Sequence, residues 1–425
     1  LKNRYIKHLF LGRRENMKRL ILAVTLPCLV AGAQGWYATS TKVDHLERAT
    51  IRLALRSASK SALGDVFETV SDPKSSRYRK FLTDEEVAHL VEPPPGTLKA
   101  VTDWVSSQLG EGAQVEQNRH GDGLLVSATR RSLLQAFAGH IVNFTSFQHA
   151  DSPGRREVRA VAVDGASPSS VVPSALLPHV WAAFDLVDLL PVPVRRRERL
   201  GADPGDKVEP PVIHNQYNLT ESECIGGRTG TSQAVAAFEQ AQFLPTDVAA
   251  FEKAYGLPEV VFQVDGPNNG GYYGEAGLDT QYIVTTGRGV PSWFVAQNAF
   301  DMLTFCEKVL NMTERPSVLS ISWGSGESDY DADHMQAANT CFQKMGVQGI
   351  SVFVASGDQG TGKQGLFWCT GFDATWPASS PFVTAVGGTF LQSGVENGWT
   401  DSGGGFSSVF SRPSYQDSAV QSGME

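Results

Sequence analysis

Ser351-Val-Phe-Val-Ala-Ser-Gly-Asp-Gln-Gly360 runs from an apolar strand into a turn that carries one acid. Val352, Phe353 and Val354 have the composition of a fully buried strand, which in an α/β protein is usually a central parallel strand. Ser356-Gly357-Asp358 then turns the chain at the carboxyl edge of that strand, where open α/β sheets place their sites. Alone the turn is ordinary, because Gly and Asp are common turn residues. The flanking sequence gives it weight.

Upstream, from Val212 onward, apolar runs at 233–238, 260–264, 292–296 and 317–323 alternate with helical patterns at 244–255, 274–286, 300–310 and 331–345. Strands separated by crossover helices predict an α/β domain, a mostly parallel sheet with helices on both faces. Residues 36–200 read differently. Helices are expected over 53–70, from Leu82 and over 98–109, with two or three short strands, including 123–128 and 140–144. Thr83 with Glu86 three residues later forms a capping box at the second helix. Such a mixture predicts an α+β unit. Between the two regions, Pro191-Val-Pro-Val-Arg-Arg-Arg-Glu-Arg-Leu200 reads as an exposed linker, open to cleavage or serving as a solvated tether.

At 425 residues the chain has room for two or three domains. Its net charge of −9 leaves no basic footprint for nucleic acid. Met17-Lys-Arg-Leu-Ile-Leu-Ala-Val-Thr-Leu-Pro-Cys-Leu-Val-Ala-Gly-Ala33 has the basic start, short apolar core and small-residue end of a signal peptide. Residues 17–35 are therefore expected to be removed, and 1–16 to be untranslated leader. No later segment has the length of a membrane span. Cys28 would leave with the signal peptide. Cys224, Cys306, Cys341 and Cys369 remain, an even number that in a secreted protein implies bridges with three possible connectivities. They are too scattered for a zinc pattern. Asn143, Asn218 and Asn311 head glycosylation sequons.

Three motifs carry chemistry. Glu275-Ala-Gly-Leu-Asp279 puts two carboxyl groups one helical turn apart on one face. As a bare surface feature, two acids at that spacing would be mildly unfavourable. Ser320-Ile-Ser-Trp-Gly324 ends a strand in a Gly that permits close backbone approach, and Asp358 sits in the strand-end turn. Only His214 and His334 lie in this region, neither in a His-Gly turn, so a histidine-based triad has little support.

With Trp376-Pro-Ala-Ser-Ser-Pro-Phe-Val-Thr-Ala-Val-Gly-Gly-Thr389, Ser402-Gly-Gly-Gly-Phe-Ser407 and Arg412-Pro-Ser-Tyr415, these motifs resemble the sedolisin family, the serine-carboxyl peptidases, and most of all their tripeptidyl-peptidase branch. Ser71-Asp-Pro73, Tyr78 and Leu82-Thr83 resemble that family's propeptide. The resemblance spans about residues 50 to 420. It implies a subtilisin-like fold in which glutamate replaces the histidine base.

By that resemblance Glu275 is the general base, Asp279 holds and polarises it, and Asp358 stabilises the oxyanion. Trp323-Gly324 and Ser356-Gly357 pair with the substrate backbone. A free Glu titrates near 4.3, and Asp358 donates only when protonated, so both roles favour acid pH. Residues 36–200 become a propeptide that inhibits the peptidase region 201–425. Peptides or proteins become the substrates, and the protein is secreted or lysosomal.

The family's nucleophile lies in Ser-Gly-Thr-Ser-Ala-Ser, which these 425 residues do not contain. Gly230-Thr-Ser232 is a decoy. It precedes Glu275 and leads into a strand, whereas the nucleophile should follow Asp358 and lead into a helix. The family's calcium ion is expected to find its ligands beyond Glu425. These 425 residues are therefore expected to have no peptidase activity of their own. The alternatives are a non-catalytic binding or inhibitory family member, and a carboxylate-pair glycosidase. The glycosidase fits poorly, since its two acids should flank a sugar from different elements.

Overall fold

The computed structural model of the protein describes residues 35–59, 61–150, 152, 154–193, 206–219, 230–269, 274–364 and 369–424. The expected signal peptide up to residue 34, with Cys28, lies outside these residues, as do Cys224, Thr220 of the Asn218 sequon and most of the linker.

The N-terminal unit contains β1 (Trp36–Ala38), β2 (Arg48–Leu55), α1 (Ala62–Ser71), α2 (Asp84–Val91), α3 (Thr97–Leu109), β3 (Gln114–Gln117), β4 (Gly123–Thr129), α4 (Arg130–Ala136), β5 (Ile141–His149), β6 (Arg156–Ala162) and β7 (Val180–Phe184). Two antiparallel sheets form, in the orders β3-β4-β2-β7 and β1-β5-β6. Val101, Val105 and Leu109 recur every four residues on α3 and pack with Ile51, Leu53 and Val126 in one core. The capping box forms: Thr83 Oγ1 accepts from Glu86 N, and Thr83 N donates to Glu86 Oε2 at 2.9 Å.

The helix expected over 53–70 is not there as one element. Residues 48–55 are the strand β2, and the helix begins only at Ala62. Ile51, Leu53 and Leu55 are buried at alternate positions, the period of a strand. Leu63 and Val70, both buried on α1, follow the helical period instead. The strand expected at 140–144 runs on to His149, and that expected at 260–264 forms only as β9 (Gln263–Asp265).

The second unit is the expected α/β domain. Its elements are α5 (Pro210–Gln216), β8 (Gln233–Ala237), α6 (Pro245–Tyr255), β9, α7 (Gly274–Thr286), β10 (Ser292–Ala296), α8 (Met302–Asn311), β11 (Val318–Ile321), β12 (Ser325–Gly326), α9 (Ala332–Val347), β13 (Ser351–Ala355), β14 (Gly362–Gln364), β15 (Cys369–Phe372), β16 (Thr375–Trp376), β17 (Thr384–Val386), β18 (Thr389–Gln392), β19 (Val395–Gly398) and α10 (Asp417–Met424). Six parallel strands pair in the order β17-β13-β11-β8-β10-β9. Central β8 is buried along its whole length, as a strand covered on both faces should be.

β13 corrects the expectation of a fully buried strand. Val352 and Val354 are buried, but Ser351, Phe353 and Ala355 are exposed, Phe353 to 38%. All three residues of neighbouring β17 are exposed as well. Among the described residues one face of β13 is left uncovered, and β17 is buried on neither face.

Charged pairs join the two units. Lys344 Nζ lies 2.5 Å from Asp122 Oδ2, Arg52 Nε 3.3 Å from Glu307 Oε2, and Arg155 Nη1 2.5 Å from Glu239 Oε1. Phe67 of α1 meets Phe382 edge-on at 5.0 Å between centroids. Asp84, the first residue of α2, accepts from Arg315 Nη2 at 2.8 Å and Gln348 Nε2 at 2.7 Å.

Candidate active site

Parallel strand order puts the ends of β11 and β13 side by side. Ser322-Trp323-Gly324 follows β11, and Ser356-Gly357-Asp358 follows β13, so both turns emerge at the carboxyl edge of the sheet. Helix α7 packs on β8 and carries Glu275 in its first turn and Asp279 one turn later. Its buried side, Ala276, Thr280 and Val284, repeats every four residues and fixes its rotation. Ser322 Oγ donates to Asp279 Oδ1 at 2.8 Å, tying the helix to the end of β11.

The three predicted acids influence one another. Burial raises the pKa of Glu275, and the charge of Asp358 raises it further. Asp279 is pushed up to about 7, first by burial, then by the charge of Glu275, against the opposing hydrogen bond from Ser322. Like charges in a partly dry site cannot all ionise together.

Trp323 is buried against Phe238, with ring centroids 5.9 Å apart. Gly324 sits where a Cβ would meet Thr375 Cγ2 at 2.7 Å and Trp376 O at 2.9 Å. Gly357 has φ of 101°, a backbone conformation that favours glycine. Two backbone groups expected to meet substrate are engaged within the protein: Ser356 N donates to Val386 O at 2.9 Å, and Gly357 O accepts from Gly403 N at 2.7 Å. Ser232, the decoy, accepts from Ser317 N and donates to Arg315 O, bracing the start of β11. His214 Nε2 sits 2.8 Å from Thr285 O, and His334 is buried 3.5 Å from Asp301.

Sequence reasoning overlooked three residues. Ser322 lies within Ser320-Ile-Ser-Trp-Gly324, and its position next to a strand end is the available signal. Glu327 is buried and accepts from Ser407 Oγ, Ser408 N and Ser408 Oγ at 2.5, 2.7 and 2.9 Å. Gly403 lies so near Ser356 that a Cβ would come within 1.8 Å of Ser356 O. Neither Glu327 nor Gly403 carries a local sequence signal of its partner.

Among the described residues no group of three or more His, Cys, Asp or Glu side chains is arranged to hold a metal ion. Asn143, Asn218 and Asn311 are all exposed.

Residues 35–186 match the family model "Pro-kumamolisin, activation domain". The chain is 33% identical to tripeptidyl-peptidase 1 of Bos taurus over 410 residues, spanning 91% of this chain and 70% of the relative. It is 33% identical to tripeptidyl-peptidase 1 of Homo sapiens over 411 residues, with the same coverage. The chain belongs to the sedolisin family. Within that family it resembles tripeptidyl-peptidase 1, and its N-terminal α+β unit is the activation domain of a serine-carboxyl peptidase precursor. Among solved structures it is similar to Pseudomonas sedolisin, a serine-carboxyl proteinase complexed with two molecules of pseudo-iodotyrostatin, at 26% identity and a TM-score of 0.40, covering 52% of this chain and 67% of that one. The match to an activation domain supports an intramolecular inhibitory role for the N-terminal unit. No helix among the described residues is long and apolar enough to cross a membrane.

Proposed function

We propose that this chain is the precursor of an acid-acting peptidase using Ser/Glu/Asp chemistry. Its substrates are peptides or proteins, cut as tripeptides from free N-termini, internally, or both. The observation that carries the reading is the convergence of Glu275, Asp279 and Asp358, with the first two raised in pKa by shared burial and charge. Perturbed acids at a sheet's carboxyl edge are a pattern of functional sites.

In this mechanism Glu275 takes the proton of a nucleophilic serine as that serine attacks the scissile carbonyl. Asp279, still protonated through the acid range, donates a hydrogen bond that orients Glu275, the role of the third member of a triad. Asp358 donates a hydrogen bond to the oxyanion of the tetrahedral intermediate. Glu275 then returns the proton to the leaving amine. Trp323-Gly324 and Ser356-Gly357 line the path of the substrate backbone.

The family's Ser-Gly-Thr-Ser-Ala-Ser motif does not occur in these 425 residues, so no serine of this chain is assigned the role. These 425 residues then hydrolyse nothing by themselves. Cleavage of a signal peptide at 17–35, glycosylation at Asn143, Asn218 and Asn311, and a secreted or lysosomal location complete the proposal.

The test is hydrolysis of N-free and N-blocked peptides at acid pH by the full-length gene product and its Glu275→Gln variant. The expected result is activity only in the unmodified protein. Activity that survives Glu275→Gln, or no activity in a correctly processed full-length protein, would overturn the reading; the second outcome would leave a non-catalytic binding or inhibitory protein. Equal cleavage of blocked and free peptides would exclude a strict tripeptidyl peptidase.

A further inference from the structure

Cys306 on α8 and Cys341 on α9 play no part in the chemistry above. Both are buried, at 0% and 3% exposure, in the core that also holds Phe305, Val309 and Phe342. Helices α8 and α9 pack side by side, and the two thiols are hydrogen-bond neighbours across that contact. Both sulfurs are unbridged in this structure.

We infer that Cys306 and Cys341 become a disulfide when the chain folds in an oxidising compartment. Two cysteines that meet side chain to side chain across a helix contact are placed where a bridge can form. Cysteines of secreted proteins are oxidised where such neighbours exist. The oxidant is a second disulfide, of a protein or a small thiol compound. One thiolate of the pair attacks it and forms a mixed disulfide. The other thiolate then displaces the second sulfur of the oxidant. The products are the Cys306–Cys341 bond and two thiols. The oxidant takes two electrons, and the protons of both cysteines pass to the departing thiols through solvent.

Timing follows from burial. Inside the closed core the Cys306 thiol is held well above its ordinary pKa, by burial first and then by Cys341 beside it. The reactive thiolate is therefore scarce once α8 and α9 have packed. The exchange belongs to the folding chain, before the helices close.

The bridge acts where the two units meet. α8 supplies Thr304 and Glu307 to Arg52, and α9 supplies Lys344 to Asp122. A covalent tie between these helices holds that docking face in shape whether or not the N-terminal unit is attached. It also closes a loop that contains β11 and the Ser322-to-Glu327 turn.

The test uses the 425-residue chain, directed through a secretory host, denatured without reductant, alkylated with iodoacetamide, digested and analysed by mass spectrometry. The expected result is a linked pair of peptides holding Cys306 and Cys341, released by reductant, with neither residue alkylated. Alkylation of both, or linkage of either to Cys224, to Cys369 or to a small thiol, would overturn the inference. As a second measurement, reductant should lower the melting temperature of the chain by roughly 5–10 °C more than that of the Cys306→Ala/Cys341→Ala double variant. An equal effect of reductant on both proteins would also overturn it. Neither readout depends on peptidase activity.

Discussion

Ser322 Oγ donates to Asp279 Oδ1 at 2.8 Å, so the carboxyl-bearing helix and the end of β11 are held by one hydrogen bond. Asp279 titrates near 7 in the folded chain, against about 3.9 for a free Asp. A folded pKa above the unfolded value means that the native state binds the extra proton between those limits. Stability should therefore fall as pH rises from about 4 to about 7. Asp279→Asn removes that slope. We expect the variant to be more stable than the parent by roughly 2–4 kcal/mol at pH 8, with the difference vanishing near pH 4. Urea denaturation at a series of pH values measures it. Ser322→Ala should steepen the slope, because its hydrogen bond favours the ionised form.

Asp84 behaves in the opposite sense. Partial burial alone would raise its pKa, but hydrogen bonds from Arg119, Gln348, Arg315 and His120 hold its carboxyl well below the usual range. Its contribution to stability is complete above the unfolded value near 3.9 and is lost only as pH falls through the depressed folded value. The clamp between α2 and the α/β unit thus stays intact at pH 4 to 5. Asp84→Ala should cost about 2–3 kcal/mol at neutral pH, since it leaves Arg315 and Arg119 short of a partner. The loss should be equally large at pH 5. Thermal unfolding at both pH values reads this, and a clamp that weakens at pH 5 in the parent would contradict it.

Gly403 and Gly404 are neighbours with different constraints. A Cβ at Gly403 would strike Ser356 O at 1.8 Å, while one at Gly404 would meet only Thr361 Cγ2 at 3.8 Å. Gly403→Ala should displace the Ser356-Gly357 turn and break the Gly403 N to Gly357 O hydrogen bond, at a cost of at least ~2 kcal/mol. Gly404→Ala should stay within about 0.5 kcal/mol of the parent. Denaturation midpoints of the two variants compare them directly.

Glu327 gathers three donors from Ser407 and Ser408, and its own N–H donates to Ala374 O at 2.8 Å. Glu327→Ala should destabilise by roughly 2–4 kcal/mol, because a buried cluster of donors loses its acceptor. Amide exchange should quicken first at Ser408, whose N–H now lacks a partner. Unchanged protection there would show that the segment is held by other contacts.

The sequence by itself determined the alternation of strand and helix from Gln233 onward, because a buried parallel sheet demands apolar runs separated by amphipathic crossovers. Helix α7 emerged with the bounds expected, and Glu275 and Asp279 share a face through the pitch of any α-helix. The capping box at Thr83 and Glu86 was equally legible, since its partners are three residues apart. The helix expected over 53–70 failed because Ile51, Leu53 and Leu55 are apolar in a pattern that a strand in a sheet also satisfies. Only pairing with β4 and β7 selects the strand. Tertiary structure alone brought Asp358 close enough to raise Glu275, set Ser322 against Asp279, and placed Glu327 under Ser407 and Ser408. These contacts join residues 43 to 83 positions apart. Local periodicity holds no record of such distances; the order of the strands in the sheet does.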